Sequence, residues 1–386
     1  MGGVRMEWKE DVLGNVLEVK YGKDHKKLAD GQYPVYGSGG LMRYVDSKLY
    51  DGPSILIPRK GTLNNIMFVE SPFWTVDTMF WSIINTDKVD PKFLFYSICK
   101  RDFASMNVGS AVPSMTVNIL NDIQISYPKN IEDQRRIASI LSSLDRKIEL
   151  NNKINADLEE MAQAIFKNWF VDFEPFKDGK FVDSELGMIP EGWKVGRLDE
   201  IADVVGGSTP SKAKPEYYTQ KGIAWLTPKD LSNHPAVYSS RGEIDITEEG
   251  YNSTSTKLMP KGTVLFTSRA PIGYISIAQN DICTNQGFKS VVPKKAGTCF
   301  LYCFLKYVTP EIENKSTGST FKEASGSLMK SLQVIMPEQK VFEDFETIVS
   351  PLFVRIESLE KENSRLSLLR DTLLPRLMSG ELEVPE

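Results

Sequence analysis

The sequence is poor in the residues that most often carry chemistry. Four cysteines in 386 residues cannot build a disulfide framework, so reduced, buried thiols are expected. Cys299 and Cys303 lie one helical turn apart, but His25 and His234 are the only histidines and neither is close to them in sequence. A zinc site needs more ligands than that, so the pair reads as two small core residues. Catalytic signatures are missing too. There is no Gly-x-x-x-x-Gly-Lys-Ser/Thr phosphate loop, which excludes an ATPase motor, and no Asn/Asp-Pro-Pro-Tyr/Phe base pocket of the kind a lone methyltransferase needs. Gly37-Ser38-Gly39-Gly40 precedes no evident helix and reads as a loop. Glu18-Val19-Lys20 has the acid-x-lysine spacing of a nuclease, but no suitable aspartate sits on a strand before it. The longest apolar run, around Phe93 to Cys99, is far too short to cross a bilayer. No basic region followed by an apolar stretch opens the chain, so a cytoplasmic location without a membrane partner is expected.

What is present is periodicity. Ile137, Leu144, Asn151, Leu158 and Ile165 form one heptad row, and Leu141, Ile148, Asn155, Ala162 and Trp169 form the other. Asn130 offers an N-cap, Glu132 and Asp133 place negative charge on the first turn, and no Gly or Pro intervenes before Pro175. The period returns in Val349, Ile356, Asn363 and Arg370 with Leu352, Leu359, Leu366 and Leu373. Here Ser350 and Pro351 read as the N-cap and first position of the long helix, after a shorter helix or a kink, and Pro375 and Gly380 as its end.

The chain also repeats itself. Trp8-Lys9 with Leu13, Val16 and Val19 matches Trp193-Lys194 with Leu198, Ile201 and Val204; Gly52 to Arg59 matches Gly262 to Arg269; Gly109-Ser110 matches Gly318-Ser319; and the Ile123 to Pro128 run matches Leu332 to Pro337. Within each copy, Ser54 to Pro58, Thr263 to Thr267 and Tyr274 to Ala278 read as strands. Pro91 to Arg101 and Cys299 to Val308 read as helices. The fold class is therefore α+β: two similar α/β domains, each with a compact, twisted sheet, separated by two long helices. The boundaries are a first domain at 1–128, a helix at 129–172, a linker at 173–190, a second domain at 191–336, a helical region at 337–380 and a tail at 381–386.

A compact domain returns its chain near its point of entry, so the second helix should run back along the first as an antiparallel coiled coil. One register satisfies the whole seam: Leu141 with Leu373, Ile148 with Leu366, Asn151 with Asn363, Leu158 with Ile356, and Ile165 with Val349. Parallel pairing would instead set Asn155 beside Asn363, with both domains at one end. The antiparallel form should separate them by roughly 50 to 60 Å, about one helix length. Phe166, Trp169 and Phe170 exceed what one seam can bury and should pack on a domain or a partner. The formal net charge of −5 is confined to the helical segments and leaves the globular parts neutral or mildly basic, which permits nucleic-acid binding.

The run from Gln134 to Asn151, continued by Met161 to Phe173, closely resembles the central region of specificity subunits of type I restriction-modification systems, and Gly187-Met188-Ile189-Pro190-Glu191-Gly192-Trp193 is similar to their entry into a second target-recognition domain. The resemblance implies a non-catalytic DNA-binding chain. Each domain would recognise one half of an asymmetric, two-part target in double-stranded DNA. It also implies two modification subunits that use S-adenosylmethionine to methylate a flipped adenine, and restriction subunits that use ATP and Mg. The modification subunits would dock near the helices. Two other classes are weighed against this: a self-contained methyltransferase or nuclease with duplicated domains, and a coiled-coil scaffold with no role on DNA.

Candidate DNA contacts follow from residue type and position. Arg59 with Lys60, and Arg269, each follow a strand at equivalent places, where a loop could offer a guanidinium to phosphate or a guanine edge. The same arginines could equally pin their own loops. Ser208, Thr209 and Lys212 in Gly206 to Lys212 supply amides, hydroxyls and a cation suited to phosphate, though a solvated turn has the same composition. Ser38, in Tyr33 to Ser38, and Lys289, after Asn285 to Phe288, lie in stretches that resemble recurrent elements of the family's recognition domains. Arg43, Lys229 and Lys322 complete the set.

Overall fold

The structure, a computed structural model, describes residues 6–107, 113–269, 271–317 and 322–384. The Gly109-Ser110 and Gly318-Ser319 match lies outside them. The chain divides into two compact units, residues 1–149 with 364–386, and residues 150–363.

In the first unit, strand Trp8–Val12 pairs antiparallel with Gln124–Pro128, so the domain's first and last strands close on each other. A four-stranded sheet runs in the order Leu17–Tyr21, Met79–Ile84, Ser54–Pro58, Met67–Val69, and a three-stranded sheet in the order Gly40–Val45, Tyr33–Gly37, Trp74–Thr75. Helix Pro91–Ile98 starts because Asp90 accepts from the Phe93 N–H and Pro91 occupies the first turn. It stops short of the expected Arg101.

The second unit repeats the plan. Lys194–Arg197 pairs with Gln333–Met336, and the Leu198 N–H donates to Leu332 O at 2.9 Å as Leu13 N–H does to Ile123 O at 2.8 Å in the first. A five-stranded sheet runs in the order Ala202–Gly206, Lys289–Pro293, Val264–Ser268, Ile272–Ala278, Tyr238–Ser239. In both units the strands fall into several small sheets rather than the one compact sheet expected, because Gly, Pro and Asn interrupt them every few residues. Helix Thr298–Lys315 continues past the expected Val308 and through Pro310.

The long helices are Ile131–Phe170 and Gln339–Met378, each 40 residues. Asn130 Oδ1 accepts from the Glu132 N–H at 3.0 Å, capping the first. Beyond its end, Phe173 takes a left-handed φ of 55°. Its ring packs edge-on against Trp193 and Phe181, which holds a conformation that a bulky side chain otherwise avoids.

The second helix does not begin at Pro351 as the sequence suggests; it starts at Gln339 and passes through Pro351 and Pro375 to Met378. A proline inside a helix costs about 3 kcal/mol or more. Phe345, Val349, Phe353 and Ile356, all buried on either side of Pro351, contribute about 1.5–3 kcal/mol each and outweigh it. Pro351 itself faces solvent. The helix ends before Gly380, whose φ is +73°; a Cβ there would lie 2.6 Å from Trp8 Nε1, so only glycine fits.

Within the units the two helices run antiparallel. In the second, Asn151 is fully buried and its Nδ2 donates to Asn363 Oδ1 at 2.8 Å and to Glu362 Oε2 at 2.9 Å, while Asn363 Nδ2 donates to Asn152 Oδ1 at 2.8 Å. Phe166 and Trp169 meet Phe345, and Phe170 meets Phe342, Phe345 and Phe300, so these surplus aromatics pack on the domain. Val349, Ile356 and Leu359 are buried beside them, with Leu158, Ile165 and Leu352 half-buried. In the first unit, Ile137 and Leu141 share a core with Leu374 and Leu377, whereas Leu144, Ile148, Leu366 and Leu373 are half-buried. Arg370, a charge in the seam pattern, is accommodated by Asp145, which accepts from Arg370 Nη1 at 2.7 Å and from the Tyr96 hydroxyl at 2.6 Å.

All four cysteines are free. Cys283, Cys299 and Cys303 are buried and Cys99 is half-buried, and burial pushes the Cys99 and Cys283 thiols up to about 11.

Candidate nucleic-acid interface

Arg59 extends strand Ser54–Pro58 into a turn. Its N–H donates to Thr78 O at 2.8 Å and its carbonyl accepts from the Met115 N–H at 2.9 Å, so the backbone is held from both sides. The guanidinium lies 5.6 Å from the centre of the Tyr21 ring, and no ion pair among the described residues involves it. A cation stacked on an aromatic face keeps its outer N–H groups available. Lys60 is exposed beside it. Ser38 belongs to the same surface: its carbonyl accepts from Asn65 Nδ2 at 2.8 Å, and its hydroxyl sits 3.0 Å from where a Cβ on Gly61 would be. Arg43 is committed inward, since its Nη2 donates to Leu28 O at 2.8 Å and meets Asp30 at 3.2 Å.

In the second unit, Lys212, Lys229 and Arg269 line one cavity of about 910 Å³ together with Tyr218, Trp225 and Asn285. The loop before it is fixed in place. Ser208 N–H donates to Thr284 O at 2.9 Å, the Trp225 indole N–H to Ser208 O at 3.1 Å, the Tyr218 hydroxyl to Pro210 O at 2.6 Å, and Thr209 bonds the Gln286 side chain. Burial raises the Tyr218 phenol above its ordinary value, so it stays a neutral donor.

Arg269 is not free like Arg59. Glu323 bridges Arg269 Nη1 at 3.3 Å and Lys289 Nζ at 3.4 Å. Lys289 is largely covered, and Lys322 donates to Glu313 O at 3.2 Å. Lys229 faces Glu243 at 3.6 Å, both well exposed, while Lys212 is exposed at the rim. The candidates therefore fall on two surfaces, one per unit, with Arg43, Lys289 and Lys322 tied into the scaffold. Sequence reasoning missed Tyr218, Trp225 and Glu323. Aromatics beside a Pro-Lys pair, as in Trp225 to Lys229, were the available signal for the first two; nothing in sequence marks Glu323, which acts across 54 residues.

Among the described residues, neither surface holds a nucleophile, base and orienting group in mutual contact. Among the described residues no group of three or more His, Cys, Asp and Glu could hold a metal, and no helix is long and apolar enough to cross a membrane. Cations, amides and aromatic edges around open grooves suit a polyanion.

The comparisons agree with that chemistry. The family described as type I restriction modification DNA specificity domain matches twice, over residues 6–160 and 190–366, most of the chain. The chain belongs to this family. The MjaIX specificity subunit of Methanocaldococcus jannaschii is 40% identical over 190 residues, covering 48% of this chain and 44% of that subunit. The HindI specificity subunit of Haemophilus influenzae is 26% identical over 386 residues, covering 82% of this chain and 83% of that one. The solved structure of a type I restriction-modification S subunit from M. genitalium has the same fold, with a TM-score of 0.61 at 18% identity, covering 100% of this chain and 98% of its own.

Proposed function

We propose that this chain is the non-catalytic specificity subunit of a type I restriction-modification complex, each of its two domains binding one half of a bipartite, asymmetric target in double-stranded DNA. The observation that supports this most is duplication with divergence. The same strand closure and the same Leu13 and Leu198 backbone bonds recur in both domains, while the cationic surfaces mounted on them differ. The long helices set the number of base pairs between half-sites.

The helices also carry two modification subunits, which use S-adenosylmethionine, and through them restriction subunits that use ATP and Mg. Apolar side chains left in water on the helices support a docking role: Val354 is 63% exposed in one unit and Leu368 is 71% exposed in the other. The free cysteines suit the cytoplasm, where such a complex meets DNA.

Exchange of residues 191–336 for the corresponding domain of another specificity subunit tests the reading. In the assembled complex, methylation mapping should show one half of the target changed and the other kept. A change in both halves at once would refute the one-domain, one-half-site assignment.

A further inference from the structure

The first domain exposes apolar side chains where a hairpin should hide them. In strand Gly40–Val45, Leu41 is 51% exposed, Met42 56% and Tyr44 50%. Successive strand residues normally point to opposite faces, so at least one of Leu41 and Met42 should be covered. A β-bulge prevents that. Val35 pairs with Arg43 and Tyr36 with Leu41, which leaves Met42 as the extra residue. Bulges of this kind re-aim side chains next to functional sites.

The hairpin tip is built for close approach. A Cβ on Gly39 or Gly40 would meet nothing within 4 Å, and Gly40 has a φ of +112°, so the turn presents bare backbone to open space. Met42 lies across Gly37, its sulfur 2.6 Å from where a Cβ would be. The tip adjoins the cationic turn: Asn65 Nδ2 bonds Ser38 O, and Ser38 Oγ abuts Gly61, next to Lys60 and to Arg59 stacked on Tyr21. Val76 N–H donates to Tyr36 O at 3.1 Å, which ties the hairpin to the strand that precedes the Arg59-bonded Thr78. A surface meant for phosphate alone would exclude the apolar side chains. Base edges in the major groove use both kinds: arginine for guanine and apolar atoms for the thymine methyl.

We propose that the Tyr33–Val45 hairpin enters the major groove of the first domain's half-site, with Leu41 and Met42 packed on the C5-methyl of a thymine. This rests on the specificity reading above and adds to it one base identity and two specificity-determining residues. Covering one methyl group is worth about fourfold in affinity, the equivalent of about 0.8 kcal/mol.

The test uses the full chain assembled with modification subunits. Methylation mapping defines the wild-type target, and the exchange of residues 191–336 shows which half belongs to the first domain. Each thymine of that half is then replaced by deoxyuridine, which lacks only the methyl. One replacement should weaken wild-type binding about fourfold, and Leu41→Ser or Met42→Ser should abolish that difference and make the same position degenerate in the mapped target, with the other half unchanged. A first half-site without thymine, or a target and uridine response unaltered by either variant, overturns the hairpin assignment alone. A wild-type complex that methylates no two-part target overturns the specificity reading and this inference together.

Discussion

The pair of buried Asn151 and half-buried Asn363 makes a quantitative prediction about what fixes the register of the helices. Asn151 is fully covered and spends its amide on Asn363 and Glu362. In Asn363→Leu the Asn151 amide keeps Glu362 but faces a hydrocarbon where its other acceptor stood. An unsatisfied buried polar group costs about 1–3 kcal/mol, and that is the expected loss for either single leucine variant. The double variant Asn151→Leu with Asn363→Leu removes both amides of the shared bond at once and leaves Glu362 and Asn152, which water can reach, to be solvated, so its loss should fall short of the two single losses added together by about 1–3 kcal/mol. Urea denaturation of the four proteins, compared by midpoint and slope, measures that coupling. A double variant as unstable as the two single losses added together would refute the reasoning. Register is read separately by thiol crosslinking. Cysteines at 151 and 363 should join readily in the folded chain, and crosslinking at 155 and 363 instead would sink the antiparallel register. The leucine pair should give up some of that selectivity, because leucine tolerates slippage against leucine whereas an amide does not.

Three further predictions concern single side chains. Glu360 accepts from the Val237 N–H at 2.7 Å and the Tyr238 N–H at 3.1 Å, and burial pushes its carboxyl up to about 7, above the ordinary 4.5. The folded chain therefore holds a proton that the unfolded chain releases. The stability this confers is complete below about pH 4.5 and is lost as pH rises through 7, by at most about 3 kcal/mol. Glu360→Gln should flatten that part of the profile, and an unchanged difference between wild type and variant across the range would count against it. Glu346, whose carboxylate accepts from the Phe300 N–H at 2.8 Å and the Cys299 N–H at 3.3 Å, caps helix Thr298–Lys315; Glu346→Ala should cost about 0.5–2 kcal/mol in thermal or urea unfolding. On DNA, Arg59→Ala should weaken the assembled complex by about 1–3 kcal/mol if the guanidinium meets a base, relaxing one position, whereas Lys212→Ala should weaken all sequences alike and lower the salt slope by about 1. Titrations at two salt concentrations separate the cases, and unchanged binding by Arg59→Ala would move that residue to the scaffold.

The helix pair was readable from sequence because heptads repeat over many turns, so that one irregular position cannot hide them. Asn151 and Asn363 meet in the antiparallel register that the chain's return path favours, where an amide in the seam has an amide to face. Local signals failed where packing overrode them. Pro351 has every mark of a helix start, yet the residues that decide its fate are Phe345 and Phe353, whose burial depends on partners in another part of the chain. The duplication was legible because apolar and anchoring residues recur at matched places in both copies, Trp8-Lys9 with Leu13 and Trp193-Lys194 with Leu198, where the chain is pinned to the closing strand in the same way.

The candidate interface was harder to read because a charged side chain does not disclose whether its partner is inside or outside the molecule. Arg59 and Arg269 occupy equivalent places in the repeat, but one rests on Tyr21 and the other shares Glu323 with Lys289. The distinction lies in residues dozens of positions away, so no local pattern carries it. Nor could composition point to the Tyr33–Val45 hairpin, where exposure of Leu41 and Met42 arises from a shift of one residue in strand pairing. The two domains thus present different groups: a bulged, apolar hairpin beside an arginine that no carboxylate among the described residues pairs with in the first, and a cavity edged by Lys212 and Lys229 over Trp225 in the second. A shared skeleton keeps both domains compatible with the same helix pair. Divergence away from the closing strands then lets each domain present different groups to DNA without disturbing the residues that hold it there.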